Sequence, residues 1–82
     1  MTIELLDMKE QFTQQEACDL LNSHVVKKEH EHIQDIQINQ IGYIAGVITL
    51  NDEIELMVKF SKELLQLNKF KFQRDISLIE MP

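Results

Sequence analysis

The stretch from Tyr43 to Phe60 decides the predicted fold. Its two eight-residue runs, YIAGVITL and EIELMVKF, are separated by Asn51 and Asp52. Apolar side chains recur at alternate positions, which is the period of a β-strand with one buried face. Asn and Asp both tolerate the positive φ angles of a two-residue type I′ turn. The stretch therefore predicts a β-hairpin that bends between the two runs.

The two-residue loop also predicts the register of this hairpin. It pairs Leu50 with Glu53 and places alternate residues on a common face. The first face then carries Tyr43, Ala45, Val47, Thr49, Ile54, Leu56, Val58 and Phe60, with Ala45 opposite Val58 and Tyr43 opposite Phe60. The second face carries four large apolar residues, Ile44, Ile48, Leu50 and Met57, together with Gly46, Glu53, Glu55 and Lys59.

A helix is the alternative for residues 52–60, because Asn51 could cap a helix over residues 52–68. Helical spacing would leave Leu56, Phe60 and Leu67 on separate faces, whereas strict alternation explains residues 53–60 with fewer exceptions. We therefore favour the hairpin, followed by a short helix from about Ser61 to Asn68.

The segments that flank the hairpin predict the remaining elements. Residues 13–16 have the spacing of a capping box, which predicts a helix from Thr13 to about Lys28. Alternation predicts a strand over residues 32–39 and an edge strand over residues 69–78, where lysines flank phenylalanines. Residues 1–10 stay open between strand and helix.

These elements predict a single small α+β domain spanning residues 1–82. It has two layers, built from an N-terminal helix, an antiparallel β meander, a short helix and a C-terminal edge strand. A chain of 82 residues with 44% apolar side chains is long enough for one modest core.

The charge balance bears on partners and location. Fourteen acidic and eight basic side chains give a net charge of −6, which repels nucleic-acid phosphates and anionic membranes. Acids at Glu4, Asp7 and Glu10 stand where a signal peptide needs positive charge, and no apolar run is long enough to cross a bilayer. We therefore expect a cytoplasmic protein. Its preference for Lys over Arg, with plentiful Ile, Gln and Asn, is typical of AT-rich bacterial or phage genomes.

Residues with catalytic or ligand-binding chemistry are few. On an extended strand, His30 and His32 would share a face, and their two imidazoles could bind a metal ion. The spacing supplies no third or fourth ligand, even with Cys18 and His24 upstream. Acidic neighbours of Cys18 oppose thiolate formation. With two glycines in the chain, no phosphate-binding loop can be built. We expect no enzyme, no catalytic residue, no cofactor, no metal site and no small-molecule substrate.

Two short stretches resemble nucleic-acid-binding proteins. Residues 12–22, FTQQEACDLLN, resemble the opening helix of excisionase- and MerR-type helix-turn-helix proteins, which implies a DNA-binding regulator using residues 12–29. The segment where a basic reading helix would lie contains Glu29 and Glu31. The tail segment KFKF, residues 69–72, resembles RNA-binding strands without their glycines, so we favour buried phenylalanines there.

The second face of the hairpin is the predicted binding surface. Its four large apolar side chains, Ile44, Ile48, Leu50 and Met57, are each worth roughly 1.5 to 3 kcal/mol when buried, so they need covering. Either the N-terminal segment or another protein must supply that cover. We expect a protein-binding module, an adaptor or inhibitor, with a symmetric homodimer as the simplest arrangement.

Overall fold

The computed structural model describes residues 11–80, and these form one antiparallel sheet with two short helices. The helices are α1 (Gln14–Leu20) and α2 (Lys69–Asp75). The strands are β1 (His24–Lys27), β2 (Gly42–Leu50), β3 (Glu53–Phe60), β4 (Glu63–Leu67) and β5 (Ile76–Ile79), in the sheet order β4-β3-β2-β1-β5. Short 3-10 helices occupy Lys28–His30 and Ile38–Gln40. The predicted α+β class, N-terminal helix and C-terminal edge strand are confirmed. The open question about residues 1–10 lies outside the described residues.

The predicted hairpin and its turn are confirmed. Asn51 and Asp52 have φ angles of 52° and 66°, as a type I′ turn requires. Leu50 lies opposite Glu53, and the register agrees with the prediction as far as Val47 opposite Leu56. The alternative helix over residues 52–68 is wrong, because this segment forms β3 and β4.

A β-bulge overturns the other half of the predicted register. The ladder shifts between Ile44 and Gly46, so that one additional residue of β2 is accommodated before Ile44 meets Val58. Because side chains alternate between faces, this extra residue exchanges the faces for the start of β2. Ile44 therefore enters the core and is fully buried. The predicted pairs Ala45 with Val58 and Tyr43 with Phe60 are wrong, since Tyr43 lies opposite Lys59.

The capping box at the start of α1 is confirmed, but the helix is shorter than predicted. The Thr13 hydroxyl accepts a hydrogen bond from the Glu16 amide at 3.1 Å, and the Glu16 carboxylate accepts one from the Thr13 amide at 2.9 Å. The helix ends at Leu20 rather than near Lys28, and Asn22 adopts a positive φ of 69°. The chain then turns into β1, where pairing with β2 and β5 outweighs the local helical pattern.

Three further predictions are corrected by the structure. Residues 32–39 form bends and the start of a 3-10 helix, not a strand. The predicted helix from Ser61 to Asn68 is instead a turn followed by β4. Residues 69–75 form α2 rather than a strand, because the Asn68 side chain accepts a hydrogen bond from the Lys71 amide at 2.8 Å and caps a helix there.

The core lies between the helices and one face of the sheet. Its buried residues come from all seven elements and from Phe12: Phe12, Ala17, Val25, Ile44, Leu56, Val58, Phe60, Leu67, Phe72 and Ile76. Phe12 and Phe72 meet edge to face, with ring centroids 5.8 Å apart. Lys27 lies over the ring of Phe60, with its ammonium 5.5 Å from the ring centroid, and forms an ion pair with Glu63. These contacts connect β1 to β3 and β4 at the margin of the core.

The two glycines offer a matched test of this packing. A Cβ atom on Gly42 would lie 2.6 Å from the carbonyl oxygen of Lys59 and 2.7 Å from the ring of Phe60, whereas one on Gly46 would meet only Met57 at 3.9 Å. We expect Gly42→Ala to lower the free energy of unfolding by about 1 to 3 kcal/mol through overpacking. Gly46→Ala should change it by less than about 1 kcal/mol. Urea titration measures both, and equal losses would contradict the packing described.

Candidate protein-binding surface

The face of β2, β3 and β4 that points away from the core is the candidate surface. We call it the outer face. It carries five large apolar side chains and four polar ones: Tyr43, Ile48, Leu50, Met57 and Leu64, with Glu53, Glu55, Lys59 and Gln66. Tyr43, Leu50 and Leu64 are 43%, 51% and 55% exposed, and Ile48 and Met57 are partly exposed. The outer face thus combines exposed apolar side chains with charged side chains that lie between them.

The structure brings together three of the four predicted surface residues. Ile48, Leu50 and Met57 lie on the outer face, whereas Ile44 is fully buried on the opposite side of the sheet. The bulge in β2 accounts for this difference, because it moves Ile44 inward.

The same bulge adds a residue that sequence reasoning assigned to the other face. Tyr43 is turned outward beside Lys59. Leu64 was missed for another reason, since the segment from Ser61 onward was predicted to be helical. The alternation of Leu65, Gln66 and Leu67 is the local signal that would have indicated a strand and placed Leu64 outward.

The registers of β2, β3 and β4 fix the layout of the outer face around Met57. Met57 lies opposite Gly46 on β2 and Gln66 on β4. Two residues towards the hairpin turn, Glu55 lies opposite Ile48 and accepts a hydrogen bond from the Gln66 amide at 2.7 Å.

The other side of Met57 carries the opposite charge. Two residues from Met57, Lys59 lies opposite Tyr43 on β2 and Leu64 on β4. An acid and a base therefore stand at equal separations along β3, on either side of a central methionine.

A second surface feature is a groove that lies against the helices. The groove, of about 820 Å³, has apolar walls that include Phe12, Leu20, Phe72 and Leu78. Of the charged groups at its margin, Lys69 lies 3.2 Å from the Glu16 carboxylate, and Lys28 donates a hydrogen bond to Ser77. The groove therefore offers apolar contact, while these two cations are engaged within the chain.

The cluster of histidines and acids after β1 does not gather metal ligands. The Nε2 atoms of His30 and His32 lie 3.5 Å and 3.3 Å from the carboxylates of Glu29 and Glu31, their respective neighbours in the sequence. Between residues 11 and 80, no group of three or more His, Cys, Asp or Glu side chains could hold a metal ion. Cys18 is exposed on α1, with its sulfur 3.8 Å from the Gln14 side-chain nitrogen.

The two stretches that resemble nucleic-acid-binding proteins take other structures. Residues 12–29 contain α1, β1 and the beginning of a 3-10 helix, so β1 stands where a helix-turn-helix protein would have its second helix. Residues 69–72 form the first turn of α2 rather than a base-stacking strand. In that turn Phe72 is buried in the core and Phe70 is 63% exposed.

Comparison with known proteins adds no family to this description. No protein-family model, curated protein or solved structure matches the chain. Within residues 11–80, neither helix has the length and apolar character needed to cross a bilayer.

A serine on β5 holds the segment that follows β1. The Ser77 hydroxyl accepts a hydrogen bond from the Lys28 ammonium at 3.2 Å and donates one to the Glu31 carboxylate. The bond from Ser77 lowers the pKa of Glu31 below its ordinary value of 4.5, desolvation opposes the shift, and the charge of Lys28 adds to it.

Removing that hydroxyl should move the titration of Glu31. We expect Ser77→Ala to raise the pKa of Glu31 towards 4.5, as followed by carboxyl NMR shifts across acid pH. Because the folded-state pKa is depressed, the stability lost in the variant should be seen at neutral pH and should shrink as pH falls through that pKa. Asp75, whose pKa is lowered by Arg74, serves as the internal control. An unchanged Glu31 midpoint would exclude this role for Ser77.

Proposed function

We propose that the protein is a small acidic protein-binding module, an adaptor or inhibitor of bacterial or phage type that acts in the cytoplasm without catalysis. It binds its partner through the outer face. The observation that carries this proposal is the exposure of Tyr43, Leu50 and Leu64, each more than 40% accessible, around the partly exposed Ile48 and Met57.

The energetics of the outer face support binding. Covering the exposed half of a leucine side chain contributes about 0.8 to 1.5 kcal/mol, so Leu50 and Leu64 together represent a sizeable part of the binding free energy of a weak complex. The mixture of apolar and charged groups is typical of interfaces between proteins that also exist alone. A patch of this kind marks an interaction site more often than does a scattered single hydrophobe.

The hydrogen-bonded strands that carry these side chains also favour a binding role. β2 and β3 are interior strands of the sheet and pair with each other from Tyr43 to Leu50. Pairing with β1 at Gly42 and Tyr43, and with β4 from Leu56 to Phe60, holds the start of β2 and the end of β3 on their other sides. A surface held in this way loses little conformational entropy on association. The net charge of −6 argues for a protein partner over a nucleic acid.

A matched set of variants tests the outer face. Leu50→Gln combined with Leu64→Gln removes exposed apolar surface from the outer face, and Phe70→Gln removes a similar side chain from α2. Because all three side chains are largely exposed, each replacement should change the free energy of unfolding by less than about 1 kcal/mol.

Only the Leu50→Gln/Leu64→Gln variant should differ from the parent in what it binds. Immobilised parent and Phe70→Gln should retain the same host protein, identified by mass spectrometry and confirmed by calorimetry with the purified partner. The Leu50→Gln/Leu64→Gln variant should lose it. Equal retention by all three proteins would rule out the outer face, and a mobility shift of duplex DNA at low salt would favour the DNA-binding alternative instead.

A further inference from the structure

We propose that the partner is a second copy of this chain, packed outer face against outer face with the two β3 strands antiparallel and a two-fold axis passing through Met57. This inference rests on the proposed function, because it names the occupant of the same surface. It is carried by the distribution of charge on β3, where Glu55 and Lys59 stand two residues to either side of Met57.

The spacing makes the outer face complementary to itself. A two-fold axis through Met57, running across the strands, exchanges positions at equal distances along β3. It therefore places Lys59 of each copy over Glu55 of the other, so one rotation produces two ion pairs. Packed sheets lie about 10 Å apart, a gap that a lysine and a glutamate side chain together can span.

The neighbouring strands agree with this rotation. The axis follows the row formed by Gly46, Met57 and Gln66, which lie opposite one another on β2, β3 and β4. Ile48, opposite Glu55, then faces Tyr43 of the second copy, which lies opposite Lys59. Ile48 and Tyr43, both apolar, thus meet in the same arrangement that brings acid to base.

The other symmetric way of stacking the two faces is disfavoured by the same charges. A two-fold axis running along β3 would align the strands in parallel and place Lys59 over Lys59 and Glu55 over Glu55. Like charges held opposite each other at an interface are destabilising, and they select against that register. The charge pattern therefore specifies the orientation as well as the partner.

The size of the surface indicates a weak and reversible dimer. Three strands of at most nine residues cover a face roughly 14 Å by 30 Å, on ordinary strand spacings. Such a footprint belongs with interfaces that bury less than about 1,200 Å² in total. We therefore expect a dissociation constant in the micromolar range, measurable by sedimentation velocity over about 1 to 300 μM of the full chain.

Charge reversal at the two facing positions tests the proposal. Lys59→Glu and Glu55→Lys should each weaken self-association by about tenfold or more, because each replaces two attractive contacts with two repulsive ones. An equimolar mixture of the two variants should associate again with about the parent's affinity, since all facing pairs are then opposite in charge.

Two controls separate this local effect from net charge. Lys71→Glu on α2 and Glu80→Lys after β5 change the total charge by the same amounts away from the outer face, and they should leave self-association within about twofold of the parent. Glu55→Lys also makes the chain two units less negative than −6, which would strengthen association if overall repulsion governed it. The proposed geometry requires the opposite result.

The outcomes distinguish this inference from the function on which it rests. If the parent chain stays monomeric over the whole concentration range, the partner is not a second copy. Loss of a host partner from the Leu50→Gln/Leu64→Gln variant would in that case still support the outer face as the binding surface. A dimer that dissociates on Leu50→Gln/Leu64→Gln but ignores the charge reversals, or whose variants fail to associate when mixed, overturns the two-fold geometry. A dimer insensitive to all these changes overturns this inference, and the proposed function is then decided by the host-partner experiment alone.

Discussion

The bulge between Ile44 and Gly46 is the constraint on which the rest of the structure depends. Strand side chains alternate between two faces, so a single additional residue decides what the start of β2 presents to each side. Here it directs Ile44 into the centre of the core, opposite Val58, and turns Tyr43 outward. Without it, the hydrophobic interior and the outer face would both be built from different residues. The bulge thus links the packing of the core to the composition of the surface proposed to bind.

The helices depend on the sheet rather than the reverse. Each has seven residues, too few to be stable alone in water. Their start points are set locally by side-chain caps from Thr13 and Asn68, and their persistence comes from burying Ala17 and Phe72 against the strands. They cover one face of the sheet, whereas on β2, β3 and β4 the part of the chain that the structure describes leaves much of the other face exposed, where the proposed binding surface lies.

Local signals explain which parts of the fold could be predicted from the sequence. The Asn51–Asp52 turn and the Thr13 capping box act through neighbours within a few residues, and both were predicted correctly. Residues 24–27 were predicted to be helical from their local spacing. That prediction is wrong because the pairing that makes them β1 comes from strands far away in the sequence. The Asn68 cap was missed because the alternation of residues 69–72 fits a strand equally well.

The candidate site was predictable to a similar extent. Ile48, Leu50 and Met57 follow from alternation within β2 and β3, beyond the reach of the bulge. The bulge exchanges the faces of Ile44 and Tyr43 relative to the prediction. Neither glycine nor any turn residue in this stretch indicates where the extra residue is accommodated, so the exchange could not be predicted. Placing Leu64 on the outer face requires predicting β4, and β4 is defined by its tertiary pairing with β3. Alternation within the hairpin and the register next to its two-residue turn could therefore be predicted from the sequence, whereas the bulge and the pairing of distant strands could not.

The order of strands has a consequence for how the chain comes together during synthesis. β1 pairs with β5, and the side-chain contact between Lys28 and Ser77 joins positions 49 residues apart. The hairpin of β2 and β3 is able to form as soon as it leaves the ribosome, whereas β1 must wait for residues 76–79 to emerge before its second neighbour exists. Pairings between residues so far apart in the sequence slow folding, because the entropy cost of closing the loop comes before any stabilising contact forms. Until β5 pairs with it, one edge of β1 has unpaired backbone hydrogen-bonding groups, and the sheet reaches its full five strands only once residues 76–79 are available.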